Sequence, residues 1–201
     1  MLHEQLSATK VTALVVTHDA VDAAALASRL IVIEAGSITQ EGTVAEVLAA
    51  PATSFAAAVA GRNRVLGVAA GGAWMRAGSE REQHPPVVIA AADRASRAAA
   101  VQDGVRLSAV FRPGSVRLEQ APDPSWTGAL RLVADEVPAP GTWIARVVRI
   151  ERTPGGARVH TNAPAVAVDV AADEVAALGL APGHAVRLHV APEDVRLLRV
   201  H

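Results

Sequence analysis

The hydrophobic pattern of the chain changes near residue 62. Before that point, short apolar runs that are typical of buried parallel strands alternate with helical spacing. One such run covers residues 12–17 and ends just before His18. A helix is predicted over residues 21–28, and a second buried strand over residues 29–33. This alternation predicts an α/β unit over residues 1–62.

The rest of this first unit has clear start and stop signals. A strand is predicted over residues 38–42. Thr43 and Glu46 have the spacing of a capping box, which predicts that a helix begins there and covers residues 44–50. A last helix is predicted over residues 54–60, between a proline and a glycine.

Beyond residue 62, apolar and polar positions alternate in short segments that are separated by Gly and Pro turns. This pattern predicts an all-β barrel or sandwich. One short helix is predicted over residues 173–178, where Gly179 ends it. The predicted strands cover residues 65–69, 86–91, 105–111, 115–119, 143–152, 157–161, 166–170, 185–190 and 195–200.

A weak internal repeat divides this second half. The segment Arg-Pro-Gly-Ser-Val-Arg-Leu at residues 112–118 parallels Ala-Pro-Glu-Asp-Val-Arg-Leu at residues 191–197, and each follows an apolar strand. The repeat predicts two related β units, at about residues 63–120 and 126–201.

Composition narrows the possible classes of protein. The chain has 201 residues, of which 51% are hydrophobic, with a net charge of −1 and no cysteine. Such a chain is globular, cannot form disulfides or thiolate metal sites, and gives no electrostatic argument for nucleic-acid binding. No apolar run approaches the roughly 18–20 residues that cross a bilayer, and the N-terminus is not a secretory signal. The histidines beyond residue 62 lack the spacing of metal ligands, so no metal site is predicted.

His18 is the strongest candidate for chemistry. It follows a predicted buried strand, and in open α/β sheets such strand ends form the ligand-binding edge. A histidine there can reach a phosphate and exchange a proton near neutral pH. Taken alone, the Thr-His-Asp at residues 17–19 fits a structural turn better than a site, because short motifs arise often by chance.

The order of the following elements favours the functional interpretation. From residue 12 to residue 51 the chain resembles the H-loop and adjoining segment of ABC ATPases. The resemblance implies the end of a RecA-like ATPase domain over residues 1–62, with His18 as the switch histidine that contacts the γ-phosphate of ATP. It also implies ATP and Mg²⁺ as cofactors of the complete ATPase.

The phosphate and metal motifs of that family are absent from this sequence. No glycine-rich loop precedes Lys10, there is no Leu-Ser-Gly-Gly signature, and the Asp-Glu pairs at residues 135–136 and 173–174 follow His18 instead of preceding it. Without these groups nothing stabilises the charge of phosphoryl transfer. We therefore expect no ATP hydrolysis by this chain alone, and expect the missing residues to come from a longer parent chain or a separate polypeptide.

The second half resembles the TOBE/MOP class of small, OB-like β-barrels that follow the ATPase domain in many importers. The resemblance includes Gly-Arg-Asn-Arg-Val-Leu-Gly at residues 61–67 and Leu-Gly-Leu-Ala-Pro-Gly at residues 178–183, and it covers most of residues 61–200. It implies an oxyanion site at Arg62 and Asn63, since this pair is similar to the Arg-Asn element of molybdate-binding MOP domains. The alternative is that the pair only turns the chain from the last helix into the first strand.

Two functional hypotheses follow. The first is the C-terminal portion of an ABC-importer ATP-binding subunit, for molybdate or a similar oxyanion, at the cytoplasmic face of the plasma membrane. Its implied partners are transmembrane permease subunits and a second ATPase subunit, and no nucleic acid. The second is a stand-alone oxyanion-binding regulatory module. A scaffold in which the barrels form the ATPase dimer contact is a further alternative.

Overall fold

The structure is a computed structural model that describes residues 12–17, 23, 25–76, 86–121 and 139–200. The chain divides into two compact units, Met1–Arg62 and Asn63–His201. His18 lies outside the described residues, so its predicted role stays a prediction.

The first unit is built on an antiparallel hairpin. Strand β1 (Arg29–Glu34) pairs with β2 (Ser37–Thr43), and helices α1 (Val44–Ala49) and α2 (Ser54–Val59) follow. The capping box forms as predicted: Glu46 N–H donates to Thr43 Oγ1 over 3.3 Å, and Thr43 N–H donates to Glu46 Oε2 over 2.9 Å. The Glu46 carboxylate accepts hydrogen bonds from the Thr43 backbone N–H and from the Thr43 hydroxyl, and these bonds lower its pKa.

The buried strand predicted over residues 12–17 is wrong. These residues are irregular, and Leu14 and Val16 are 88% and 93% exposed. A parallel strand needs a hydrogen-bonded neighbour, and the one ladder among the described residues of this unit joins β1 to β2. Strand β1 is itself not buried, because Ile31 and Ile33 are more than half exposed. The described residues thus do not show a RecA-like sheet.

The second unit is a duplication in which two repeats follow the same order: three strands, a short helix, a strand, a 3-10 turn and a last strand. In the first repeat these are β3 (Asn63–Ala70), β4 (Ala73–Met75), β5 (Val88–Ile89), α3 (Arg94–Ala99), β6 (Arg106–Phe111), a 3-10 turn (Pro113–Ser115) and β7 (Val116–Gln120). In the second they are β8 (Thr142–Thr153), β9 (Gly156–Thr161), β10 (Val166–Ala171), α4 (Ala172–Leu178), β11 (Ala185–Val190), a 3-10 turn (Pro192–Asp194) and β12 (Arg196–Arg199).

The two repeats exchange their last strands. One five-stranded sheet has the order β12-β6-β3-β4-β5 and the other has the order β7-β11-β8-β9-β10. Each sheet therefore takes one terminal strand from the other repeat. Equivalent hydrogen bonds fix the ends of both exchanged strands: Ala121 N–H donates to the Ala185 carbonyl over 3.1 Å, and Val200 N–H donates to the Arg106 carbonyl over 3.0 Å.

One apolar core joins the two sheets, as the alternating pattern predicts for an all-β unit. The rings of Trp74 and Trp143 are 0% and 2% exposed within it. Gly67 makes room for the first of these, since a Cβ at Gly67 would lie 2.5 Å from the Trp74 ring. The sequence does not predict β4, whose three residues are too few for a periodic pattern, or the short helix α3.

Helix α3 ties the exchanged strand β12 to the first repeat. Asp93 caps the helix by accepting from Ser96 N–H over 2.9 Å, and Ser96 Oγ accepts from the buried Leu197 N–H over 2.8 Å. Hydrogen bonds from the side chain and backbone of Ser96 lower the pKa of the Asp93 carboxyl. A chain of hydrogen bonds thus runs from the helix start to the strand that the second repeat supplies.

We predict that Ser96→Ala lowers the free energy of unfolding by about 1–3 kcal/mol, because it leaves the buried Leu197 N–H without an acceptor. Urea unfolding, followed by the fluorescence of the tryptophans, measures the change. The matched control is Ser115→Ala, whose hydroxyl bonds the Arg112 carbonyl at the exposed surface. Equal stability of the Ser96 variant and the wild type would show that this bond does not hold β12.

Candidate functional site

Side-chain hydrogen bonds of Gln40 and Glu34, which we call the polar clamps, join segments of the first unit that follow His18 in the chain. The Gln40 amide spans the connection between α1 and α2, donating to the Ala50 carbonyl over 2.9 Å and accepting from Ala52 N–H over 2.8 Å. Glu34 Oε1 accepts from the hydroxyls of Thr39 and Thr53 over 2.7 and 2.6 Å. The sequence does not reveal these clamps, because their partners are not at any helical or strand spacing.

Arg62 closes the first unit. Its Nε–H donates to the Leu48 carbonyl over 2.8 Å, and its backbone N–H donates to the Ala57 carbonyl over 2.8 Å. The guanidinium therefore satisfies a carbonyl near the end of α1, and the backbone bond ends α2.

Asn63 opens the second unit with a different contact. The side chain is 6% exposed, and its amide pairs with the backbone of Ala167 in β10: Nδ2 donates to the Ala167 carbonyl over 2.8 Å, and Ala167 N–H donates to Oδ1 over 2.7 Å. The side-chain amide acts like an added strand residue that joins β3 of one sheet to the edge strand of the other. Nothing in the sequence indicates this partner.

The second repeat makes the equivalent junction with its backbone. Gly141 N–H donates to the Val88 carbonyl in β5 over 2.7 Å, and Val190 N–H donates to the Gly141 carbonyl over 2.9 Å. Gly141 has φ +87°, and a Cβ there would lie 2.3 Å from the Val190 carbonyl oxygen. We call the Asn63–Ala167 and Gly141–Val88 contacts the two seams. No asparagine fits the second seam, because only glycine tolerates that backbone.

The strand register shows which residues of the two repeats are equivalent. In the structure Arg64 pairs with Val110, and Thr142 pairs with His189, so Thr142 is equivalent to Arg64. The residue equivalent to Asn63 is Gly141.

Arg64 and its counterpart differ in how their polar groups are satisfied. Arg64 Nε is buried without a hydrogen-bond partner among the described residues, and burial lowers the pKa of this guanidinium. In the second repeat Thr142 Oγ1 lies 2.9 Å from His189 Nδ1, so that pair satisfies itself.

A charged ladder lies on strands β8, β9 and β10 of the second repeat. Arg158 binds Asp169 through two hydrogen bonds of 2.7 and 3.0 Å, Glu151 bonds His160 over 3.1 Å, and Arg149 contacts Glu151. The bond from His160 is the main cause that lowers the pKa of the Glu151 carboxyl. Within the described parts of the chain, no group of His, Asp and Glu is arranged to hold a metal ion.

Comparison with known proteins shows the class to which the chain is related. No protein-family model matches it. It is 42% identical over 71 residues to the Fe(3+) ions import ATP-binding protein FbpC of Streptomyces avermitilis, a match that covers 35% of this chain and 21% of the relative. The chain is thus related to the C-terminal part of the ATP-binding subunits of ABC-type importers.

A second relative matches over more of the chain. The chain is 32% identical over 185 residues to the molybdenum import ATP-binding protein ModC of Mycobacterium tuberculosis, which covers 90% of this chain and 44% of the relative. The chain thus spans less than half the length of this relative. A solved structure of the cytoplasmic molybdate-binding protein ModG, with molybdate bound, has a TM-score of 0.47 and 17% identity, covering 67% of this chain and 94% of that chain.

No helix among the described residues has the length and apolar character needed to cross a membrane.

We predict that Asn63→Ala lowers the free energy of unfolding by about 1–3 kcal/mol, because both Ala167 backbone groups lose their partner at the seam. Urea unfolding provides the measurement. The control is Asn162→Ala, since Asn162 Oδ1 accepts a single bond from Arg146 N–H at an exposed position. A loss no larger than that of the control would contradict the role of the Asn63 seam.

Proposed function

We propose that this chain is the C-terminal portion of the ATP-binding subunit of an ABC importer for molybdate or a similar oxyanion. The observation that carries the proposal is the extent of the sequence match. The molybdenum-import relative matches over 90% of the chain, which reaches across both units, whereas the iron-import relative matches over 35%. Similarity through the duplicated β unit therefore favours the molybdenum branch.

In this proposal the first unit supplies the switch histidine. His18 contacts the γ-phosphate of ATP and orients the attacking water, while the phosphate cradle and the Mg²⁺ ligands come from residues outside this sequence. Histidine suits this task because its pKa lies near the operating pH. The polar clamps at Gln40 and Glu34 hold the hairpin and helices that follow it.

The β unit serves in this proposal as the ligand-sensing half. Arg62 and Asn63 are the residues that the sequence predicts for the oxyanion. The Asn63 amide already forms two hydrogen bonds with the Ala167 backbone, so its contribution is to fix the start of β3.

The same proposal places the subunit at the inner face of the plasma membrane, where it forms a dimer and binds permease subunits.

A chimera tests the switch histidine. Residues 1–201 replace the matching part of the M. tuberculosis relative, and the ATPase rate of the purified chimera is measured. We expect hydrolysis, and a loss of about 10²–10⁴-fold in the His18→Ala chimera, which is the usual contribution of a positioned proton-transfer group. His184→Ala, an exposed histidine of the β unit, is the control and should leave the rate unchanged. An active His18→Ala chimera would refute the assigned role.

A second candidate is the stand-alone oxyanion-binding module. It is favoured by the apolar core that joins the two sheets. Every residue of this core belongs to the second unit, so the unit has a core of its own. Titration calorimetry of the intact chain with molybdate, tungstate and sulfate tests it, and we expect saturable heat with molybdate. No heat at millimolar anion would eliminate this candidate, and saturable heat together with an inactive chimera would favour it over the importer subunit.

A further inference from the structure

The outer face of the first sheet of the β unit carries positive charge without negative charge. Strands β3, β6 and β12 alternate between the core and this face, and residues that pair directly across the strands point to the same side. Three such rows cross the face: Arg64–Val110–Arg196, Leu66–Ser108–Leu198 and Val68–Arg106–Val200. They include arginines in two rows and no acidic residue. We call these three rows the basic face.

An apolar strip divides the basic face. Leu66 and Leu198 occupy the middle row on either side of the buried Ser108, and Leu66 is 52% exposed. Arg196 lies in the row on one side of the strip, and Arg106 lies in the row on the other side. Both arginines are exposed, and neither forms an ion pair among the described residues. The basic face thus presents two unpaired charges on opposite sides of an aliphatic strip.

The second sheet does not repeat this pattern. The register makes Ile144 equivalent to Leu66, and both side chains are 52% exposed. The rest of the row of Ile144 is Arg187 of β11 and Glu119 of β7, which lie directly opposite each other. Opposite charges at paired positions attract each other across a ladder. The second sheet therefore supplies its own negative charge at the place where the basic face has Leu198.

The chemistry of the basic face favours an acidic polypeptide among anionic partners. Arginine forks match carboxylates in charge and geometry, and an exposed leucine gains free energy when another aliphatic side chain covers it. Single-stranded nucleic acids bind where positive charge is combined with aromatic rings on which bases stack, and the basic face has no aromatic residue. A lipid surface takes up a broad apolar face, whereas here the apolar strip is one row wide.

The spacing of the charges indicates the conformation of the partner. Arg196 pairs with Val110, and Arg106 lies four residues from Val110 on β6, so the two rows are about 13 Å apart at the usual rise of a strand. In an extended chain, residues i and i+4 have the same separation and point to one side, with residue i+2 between them. A helix separates them by only about 6 Å along its axis. An extended segment with the pattern acidic-x-aliphatic-x-acidic therefore fits the basic face.

We propose that the basic face is a docking surface for an extended acidic segment of a partner polypeptide. Its carboxylates bind Arg106 and Arg196, and the aliphatic residue between them packs against Leu66 and Leu198. Attraction between the opposite charges speeds association and fixes the register of the segment. This surface is separate from the oxyanion function proposed above and does not depend on it.

Fluorescence anisotropy tests the docking surface in the intact chain. The probe is a dye-labelled peptide that repeats Glu-Ser-Leu-Ser and ends in Glu. We expect saturable binding that weakens as salt is added, because salt screens the charges. The double variant Arg106→Gln, Arg196→Gln should bind at least about tenfold more weakly, since two charge pairs are lost. Leu66→Ser should bind about fivefold more weakly, because apolar contact is lost.

Two controls match these variants. The double variant Arg117→Gln, Arg152→Gln makes the same change in net charge at exposed positions of β7 and β8. Val101→Ser removes an aliphatic side chain that is 76% exposed outside the basic face. Both controls should stay within about twofold of the wild type. Circular dichroism of every variant checks that it is folded.

A charge-reversed chain gives a gain of function that unfolding cannot mimic. The double variant Arg106→Glu, Arg196→Glu should lose the acidic probe and bind a second probe in which Lys replaces Glu. Binding of the acidic probe that is the same in the wild type and in the Arg106→Gln, Arg196→Gln variant would overturn the docking surface. No binding of the acidic probe by the wild type would overturn it as well.

Two further arms test the class of partner. A labelled single-stranded DNA oligonucleotide is measured by the same anisotropy assay, and vesicles of phosphatidylglycerol are measured by cosedimentation. Tighter binding of either one than of the peptide, with loss in the double arginine variant, would overturn the assignment to a polypeptide. Calorimetry with molybdate measures the oxyanion function separately, so the two proposals fail independently.

Discussion

The exchange of strands β7 and β12 is the constraint on which the β unit depends. Each sheet is completed by a strand from the other repeat, so neither repeat can satisfy its own edge. Unpaired edges expose backbone donors and acceptors, and the exchanged strands pair with the edges that β6 and β11 would otherwise leave open. The single core that joins the sheets follows from this interlocking, since residues of both repeats line it.

The two repeats share the same order of strands and helices, but the side chains at equivalent positions differ. One seam uses the side chain of Asn63, and the other uses the backbone of Gly141, where a side chain would collide with Val190. Arg64 and its equivalent Thr142 differ in the same way, since Arg64 Nε has no hydrogen-bond partner among the described residues whereas Thr142 bonds His189. Equivalent positions of the two repeats therefore differ in whether their polar groups are hydrogen-bonded.

The relation to importer ATP-binding subunits rests on sequence, and the two units support it differently. The match to the molybdenum-import relative runs through both units. The described part of the first unit is a hairpin with two helices, held by the Thr43–Glu46 capping box and the Gln40 clamp. These contacts explain the fold of that segment, whereas the role proposed for His18 rests on the order of motifs in the chain.

Features that depend on residues close together in the chain could be predicted from the sequence. Alternating apolar positions marked the strands β6 to β12, and a spacing of three residues marked the capping box. Tertiary structure alone decided which strand pairs with which, and that residues 12–17 form no strand. It also decided the partner of Asn63, a backbone far along the chain, and the isolation of Arg64 Nε. The physical reason is that hydrogen bonds between distant residues leave no local periodicity, so only the folded chain shows which polar groups find partners.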